Sequence, residues 1–153
     1  MDQDLAEMLS AAREDVLGEA DVALARARLV HYRSVPPEGT RQRLSDLFDV
    51  VRASLSPPSV VPIAAFAERL ATARFNEGFD ISELQTAFNV MEEALWRLVI
   101  ANVRPDDIIE AVGLVGTVLG AGKDALARTW VTLAKGAHVA SLNLGALSEG
   151  VAS

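Results

Sequence analysis

Apolar residues recur at helical spacing between positions 81 and 98. The intervals between them are three, four, three, four and three residues, which places all of them on one face of an α-helix. The pattern predicts an amphipathic helix from about residue 81 to residue 103. Its buried stripe would consist of Ile81, Leu84, Phe88, Met91, Leu95 and Leu98.

Weaker stripes predict further helices on the N-terminal side, separated by proline and glycine. A helical segment over residues 2–32 is expected to divide at Gly18. The next helix would begin with Thr40 as its N-cap, because Pro36 and Pro37 cannot continue a helix. A third helix would carry Pro62 in its first turn and end at Gly78, since glycine is the preferred residue just after a helix end.

The junction between the third helix and the striped helix predicts a tight corner. Gly78 supplies the turn, and Asp80 would accept the amide of Glu83 while the Glu83 carboxylate reaches back, which is a capping box. We treat this corner as a candidate functional motif. Its members are Arg74, Gly78, Phe79, Asp80 and Glu83.

A glycine- and alanine-rich helix is predicted near residues 106–135. Residues 108–122 are apolar on every side, which indicates a helix surrounded by others. Gly116 and Gly120 lie one turn apart and let another backbone approach, either within the chain or across a symmetric dimer. The helix is expected to continue to residue 153 and to fray near Gly145.

The two tryptophans lie beside the main stripes. Trp96 and Ile100 form a second apolar ridge, which indicates either a wider core or a subunit interface. On the second reading, these positions would contribute to a homodimer. Its candidate interface residues are Trp96, Ile100, Gly116, Gly120 and Trp130.

Length, composition and charge limit the classes of protein to which this chain can belong. The 153 residues suit one domain, 1–153, and the aromatic content of 5% requires a core of small aliphatic side chains. The net charge of -7 has the wrong sign for a nucleic-acid partner. The longest uncharged run, 111–122, is too short to cross a membrane, and the acidic N-terminus lacks the order of a secretory signal, so a cytoplasmic location is expected.

Candidate catalytic chemistry is sparse. There is no cysteine, and the two histidines, His31 and His138, read as ordinary surface or half-buried residues. The adjacent acids Glu92–Glu93 and Asp106–Asp107 point about 100° apart on a helix, so neither pair chelates one ion comfortably. We therefore predict no enzyme activity, no metal and no cofactor. A small haem-binding globin-type sensor and a scaffold without ligand are the alternatives.

Several short segments around the corner resemble the N-terminal sensor domain of the RsbT co-antagonist (RsbR-type) stressosome proteins. The resemblance implies an all-α, globin-like fold of five to seven helices without haem. It implies a dimeric input module whose C-terminal helix connects to an output domain and whose partners are other signalling proteins. The family's anti-sigma-antagonist domain does not appear in these residues, so we expect either a truncated sensor region or a stand-alone variant. The matching segments are Ala73-Arg74, Glu77-Gly78-Phe79, Ile81, Glu83-Leu84, Phe88 and Met91-Glu92-Glu93-Ala94-Leu95.

From these observations the hypothesis is a sensory module. It would respond by changing its dimer geometry or by binding a small apolar molecule between helices, because a helix rich in alanine and glycine can leave a gap.

Overall fold

The computed structural model describes residues 4–31 and 37–152, with side chains at 4–27 and 39–139. These residues form six α-helices and one 3-10 turn, Pro105–Asp107, and no strand is found among them. The all-α class with five to seven helices is therefore confirmed, and it is consistent with a globin-like domain. The helices are α1 Leu5–Ala11, α2 Arg13–His31, α3 Pro37–Leu55, α4 Val61–Asn76, α5 Ile81–Asn102 and α6 Ile108–Ala152.

The first segment divides at Ala12, not at Gly18 as predicted. Asp4 caps α1 by accepting the amide of Ala6, and Ala12 departs from helical geometry at φ -101° and ψ 11°. The break lets α1 pack on α3 while α2 packs mainly on α5. Gly18 lies inside α2, where the backbone stays helical. Packing against two different helices, rather than glycine's low helix propensity, thus decides where the chain bends.

The helix α3 begins at Pro37, three residues before the predicted cap. Proline is tolerated in the first turn of a helix because its missing N–H would have no intrahelical acceptor there. Thr40 therefore lies within the helix and is buried, with 2% of its surface exposed. The predicted N-cap role of Thr40 is wrong, although the boundary near the prolines is correct.

The core forms where α5 meets the other helices. The predicted stripe is confirmed, with Leu84, Phe88, Met91 and Leu95 buried. Ile81 and Leu98 are half-buried and pack against the same core. The side chains that surround this stripe come from α2, α3, α4 and α6, so α5 organises the interior.

The helix α6 has one buried face and one exposed face, which corrects the expectation of a helix enclosed on every side. Its buried face packs on α4 and α5, and consists of Ala111, Val115, Val118, Leu119, Gly122, Ala125 and Leu126. On the opposite face Ile109 is 87% exposed. The buried glycine- and alanine-rich segment near 106–135 thus exists as a stripe along a single helix.

Past the core, α6 continues without interruption. Residues 134–139 are all exposed, and the helix passes the predicted fraying point at Gly145 to end at Ala152. The side chains from residue 140 onward lie outside the described part of the chain.

Among the described glycines of α6, Gly122 is the one with the least space around it. A Cβ atom on Gly122 would lie 2.7 Å from Phe88 Cε1 and 2.8 Å from Ile63 Cγ1, which is inside van der Waals contact. At Gly116 and Gly120 no atom lies within 4 Å of such a Cβ position. The intramolecular contact considered for Gly116 and Gly120 is therefore made by Gly122 instead.

Candidate functional site

The corner between α4 and α5 is a Schellman motif. Phe79 N–H donates to the Arg74 carbonyl at 3.1 Å, and Gly78 N–H donates to the Phe75 carbonyl at 3.1 Å. Gly78 has φ 82°, the left-handed conformation that this motif requires. The predicted role of Gly78 in ending α4 is confirmed. The motif fixes the direction in which Phe79 leaves the helix.

Asp80 caps α5 with a different donor from the one predicted. Its carboxylate accepts the backbone N–H of Ser82 at 3.0 Å. The N–H of Glu83 instead donates to the backbone carbonyl of Asp80 at 3.1 Å. The extended backbone of Asp80 places its carboxylate nearer to the second residue of the helix than to the third, and either amide satisfies an N-cap.

The left-handed conformation of Gly78 leads to a stability prediction. Gly78→Ala is expected to lower the free energy of unfolding by about 1–2 kcal/mol, because a Cβ atom is disfavoured at positive φ. Urea denaturation followed by circular dichroism measures the loss. Gly18→Ala is the matched control, since Gly18 is helical and no atom lies within 4 Å of its Cβ position. The control is expected to stabilise the protein by about 0.5–1 kcal/mol. Equal stability of the two variants would contradict the argument.

Two arginines flank the ring of Phe79. The guanidinium carbons of Arg43 on α3 and Arg74 on α4 each lie 5.4 Å from the ring centroid, which is the geometry of a cation–π contact. Arg74 Nη1 also donates to both carboxylate oxygens of Glu77, at 3.0 and 2.8 Å. Phe79 thereby joins the corner to α3, which is distant in sequence.

Arg74 also carries a buried donor with no acceptor. Its side chain is 17% exposed, and its Nε atom is buried without a hydrogen-bond partner among the described residues. An unsatisfied buried donor costs about 1–3 kcal/mol.

The corner forms one side of a small cavity between α2, α3, α4 and α5. Its volume is about 120 Å³. Four charged side chains lie in its lining, Arg43, Asp46, Arg74 and Glu83, with Thr40 beside them. The rest of the wall is apolar and consists of Leu24, Leu44, Leu47, Phe66, Leu70, Phe79, Leu84, Ala87 and Phe88.

A polar contact joins α5 to α6 on the side of the core away from this cavity wall. Lys123 Nζ lies 3.2 Å from a Glu92 carboxylate oxygen and 3.2 Å from Asn89 Oδ1. Glu93 pairs instead with Arg97 at 2.8 Å, and Asp107 pairs with Arg104 at 3.0 Å. The Glu92–Lys123 pair therefore joins two helices, whereas the Glu93 and Asp107 pairs are local. Among the described residues no group of three or more His, Cys, Asp or Glu could hold a metal ion.

The candidate interface residues do not share one environment. Trp130 packs edge-to-face on Phe75 of α4, with ring centroids 5.2 Å apart and an interplanar angle of 78°. Trp96 is half-buried against the core. Ile100 is 62% exposed, and Gly116 and Gly120 lie on the surface side of α6. The two tryptophans thus contribute to the domain itself, and the other three lie near the surface.

Of the two histidines, His138 is the one whose side chain is described. It is exposed on α6 beyond the core, and the side chain of His31 lies outside the described residues. His138 is not among the residues that line the cavity, so the geometry gives no support to a haem held there by this residue.

The cavity was not predicted residue by residue. Arg43 and Leu24 belong to helices far from the corner in sequence, and only the tertiary packing brings them to the same cavity as Phe79. Gly122 could have been found, because it lies three residues after Leu119 and four before Leu126, both on the buried stripe.

Comparison with known proteins identifies one family. The model of the RsbT co-antagonist protein rsbRD N-terminal domain matches residues 5–134, which is most of the chain. No curated protein and no solved structure gives a significant match. Within the described residues, none of the helices combines the length and apolarity that crossing a membrane requires.

Proposed function

Because the chain belongs to the family of the RsbT co-antagonist protein rsbRD N-terminal domain, we propose that it is a non-catalytic sensory module that signals through the geometry of a homodimer. The family makes it a stressosome-related regulatory domain that works with other signalling proteins. The input would be a change in dimer geometry or a small molecule bound between helices. In a bacterial cell such a module would relay stress to the proteins it contacts.

The observation that carries this proposal is the course of α6. The helix has 45 residues, so it is about 67 Å long at 1.5 Å per residue. Its first half packs against α4 and α5 in the core, and residues 134–139 project with all side chains exposed. One rigid element therefore connects the interior of the domain to a region outside it, as a signalling output requires.

The surface that we propose for the dimer is the open face of α6, formed by Ile109, Gly113, Gly116, Gly120 and Val131. Ile109 is 87% exposed and Val131 is 50% exposed. The three glycines have open space at their Cβ positions. Small residues one turn apart let two helix backbones approach closely, and exposed aliphatic side chains beside them supply apolar area. Ile100 of α5, 62% exposed, adds a further apolar side chain near the surface.

Light scattering after size-exclusion chromatography tests the dimer. The wild-type chain is expected to elute as a dimer of 16.3 kDa subunits. Gly120→Leu is expected to be monomeric, because its side chain would separate the two backbones, and its Cβ atom would meet no atom of its own domain within 4 Å. Ala53→Leu, an exposed position on α3, is the matched control and should remain dimeric.

Circular dichroism must show the same helicity for all three proteins, so that loss of folding is not mistaken for loss of assembly. A concentration of roughly 100 µM is high enough to reveal a weak dimer. A wild-type protein that is still monomeric at that concentration would overturn the proposed dimer. A dimeric Gly120→Leu would show that the open face of α6 is not the contact.

A further inference from the structure

We propose that an open groove between the α4–α5 corner and α6 is the docking surface for a partner protein, and that it receives a positively charged side chain of that partner. The proposal rests on the regulatory function above, because it gives the chemistry of one signalling partner. The groove is lined by Phe75, Gly78, Phe79, Asp80, Ile81 and Trp130.

Three aromatic side chains form much of the groove surface. Phe75 and Trp130 have ring centroids 5.2 Å apart and planes at 78°, so the two rings form adjoining walls, and Phe79 lines a further side. All three residues are half-buried, so they are held by their own domain and remain accessible from the groove. Aromatic side chains held in this way are typical of the central residues of protein interfaces, and the face of an aromatic ring attracts a cation.

Asp80 sets the charge of the partner. Among the described residues that line the groove it is the charged one, and it is exposed at the start of α5. Its carboxylate accepts the Ser82 N–H at 3.0 Å, and a carboxylate has two oxygens that can accept several hydrogen bonds, so the cap is compatible with a further donor. A guanidinium group that donates to Asp80 would also lie against the aromatic walls. The net charge of -7 favours the approach of a basic partner surface.

Two arginines of the domain lie on the other side of Phe79. Arg43 and Arg74 both contact its ring, but they line the internal cavity, and neither lines the groove. Phe79 lines both spaces, so it lies between these arginines and a side chain in the groove. The charge of Arg74 is also offset by Glu77, at 2.8 Å. The groove therefore presents a carboxylate and aromatic rings to an incoming cation.

The open shape of the groove favours a side chain of a protein over a free small molecule. Gly78 and Asp80 at its edge are exposed, and its volume of about 480 Å³ is about four times that of the internal cavity. A small-molecule site buries most of the surface of its ligand, which an exposed groove cannot do. A side chain that is anchored in a partner protein needs only its charged end to be covered.

The groove adjoins the part of α6 that leaves the domain. Trp130 lies four residues before the exposed segment 134–139, and its ring packs on Phe75 of the corner. A partner seated in the groove would therefore contact the domain beside the projecting helix. This position lets the partner respond to a movement of α6.

Two-dimensional amide NMR of the full chain tests the groove, with the capped peptide acetyl-Gly-Arg-Gly-amide as the probe. Saturable shifts are expected at the amides of residues 78–81 and at the indole N–H of Trp130. The dissociation constant for a single side chain is expected to be on the order of 1–10 mM. The same peptide with glutamine or glutamate in place of arginine, at equal ionic strength, is expected not to saturate.

Two variants test the carboxylate and the aromatic wall separately. Asp80→Asn removes the charge but keeps an N-cap, since asparagine caps helices as well as aspartate does, and it should weaken binding about threefold. Trp130→Leu removes the indole ring and should also weaken binding about threefold. Asp106→Asn is the matched control, because Asp106 is exposed before the start of α6 and the change in net charge is the same. It should leave the affinity unchanged, and circular dichroism must show equal helicity for all variants.

The outcomes separate this proposal from the proposed dimer. Absence of saturable shifts at 78–81, equal affinity for the glutamine peptide, or unchanged binding in Asp80→Asn would each overturn the docking surface. An Asp80→Asn protein that is monomeric by light scattering would show that a second copy occupies the groove, which would also overturn it. A monomeric wild type that binds the arginine peptide as described would support the docking surface and count against the dimer alone.

Discussion

Phe88→Ala is expected to lower the free energy of unfolding by about 3–5 kcal/mol. Phe88 is completely buried on α5, and it contacts both the cavity and α6. Removing the ring would join its own volume to the existing cavity, so the neighbouring helices would have to bridge a larger void. The midpoint and slope of urea denaturation, followed by circular dichroism, give the change directly.

Phe88→Leu is the control, because it preserves most of the side-chain volume and should cost less than about 1.5 kcal/mol. The ratio of the two losses separates the effect of volume from the effect of losing the aromatic ring. A Phe88→Ala protein within 1 kcal/mol of wild type, well below the usual range for a buried phenylalanine, would mean that the ring is not packed as described.

Gly122→Ala is expected to destabilise the protein, although alanine is normally the better helix residue. The added Cβ would lie 2.7 Å from Phe88 and 2.8 Å from Ile63, and both side chains are fully buried, so neither can move aside without disturbing the core. Overpacking of this kind costs about 1–3 kcal/mol, and the gain in helix propensity returns about 1 kcal/mol. The net loss is expected to be up to about 2 kcal/mol.

Gly18→Ala, inside α2, is the matched control, because its Cβ position is open and it lies outside the proposed dimer face. It should stabilise the protein by about 0.5–1 kcal/mol. The two glycines therefore have opposite expected signs, and thermal unfolding of both variants at one protein concentration measures them. The same sign for both variants would disprove the close approach at Gly122.

Much of the local structure could be predicted from the sequence, because local rules determine it. The stripe on α5 places its apolar residues on one face, and Gly78 ends α4 because glycine adopts positive φ at no steric cost. The position of Pro62 in the first turn of α4 follows from the same kind of rule. These features depend on a few neighbouring residues.

The features that could not be predicted depend on contacts between distant segments. The chain bends at Ala12, where α1 packs on α3 while α2 packs mainly on α5, and no residue near Ala12 indicates this. The exposure of Ile109 could not be read from a segment that is apolar all round, since nothing local tells which side meets the core. For the same reason a close helix contact was predicted at Gly116 and Gly120, whereas Gly122 makes that contact.

The candidate site combines both kinds of feature. The corner residues Gly78 and Asp80 could be identified from their order along the chain, and the Schellman motif follows from that order. The cavity beside them required Arg43 of α3 and Leu24 of α2 to meet the two helices of the corner. A resemblance to a family could indicate a sensory role, but only the packing shows where a ligand would fit.

The continuity of α6 gives it the mechanics of a lever. Its fulcrum is Gly122, where the helix rests on Phe88 and Ile63, and the arm from there to Val139 is about 26 Å at 1.5 Å per residue. A tilt of about 10° at the fulcrum would displace the far end by about 4–5 Å over that arm. A displacement of this size is about the width of a side chain.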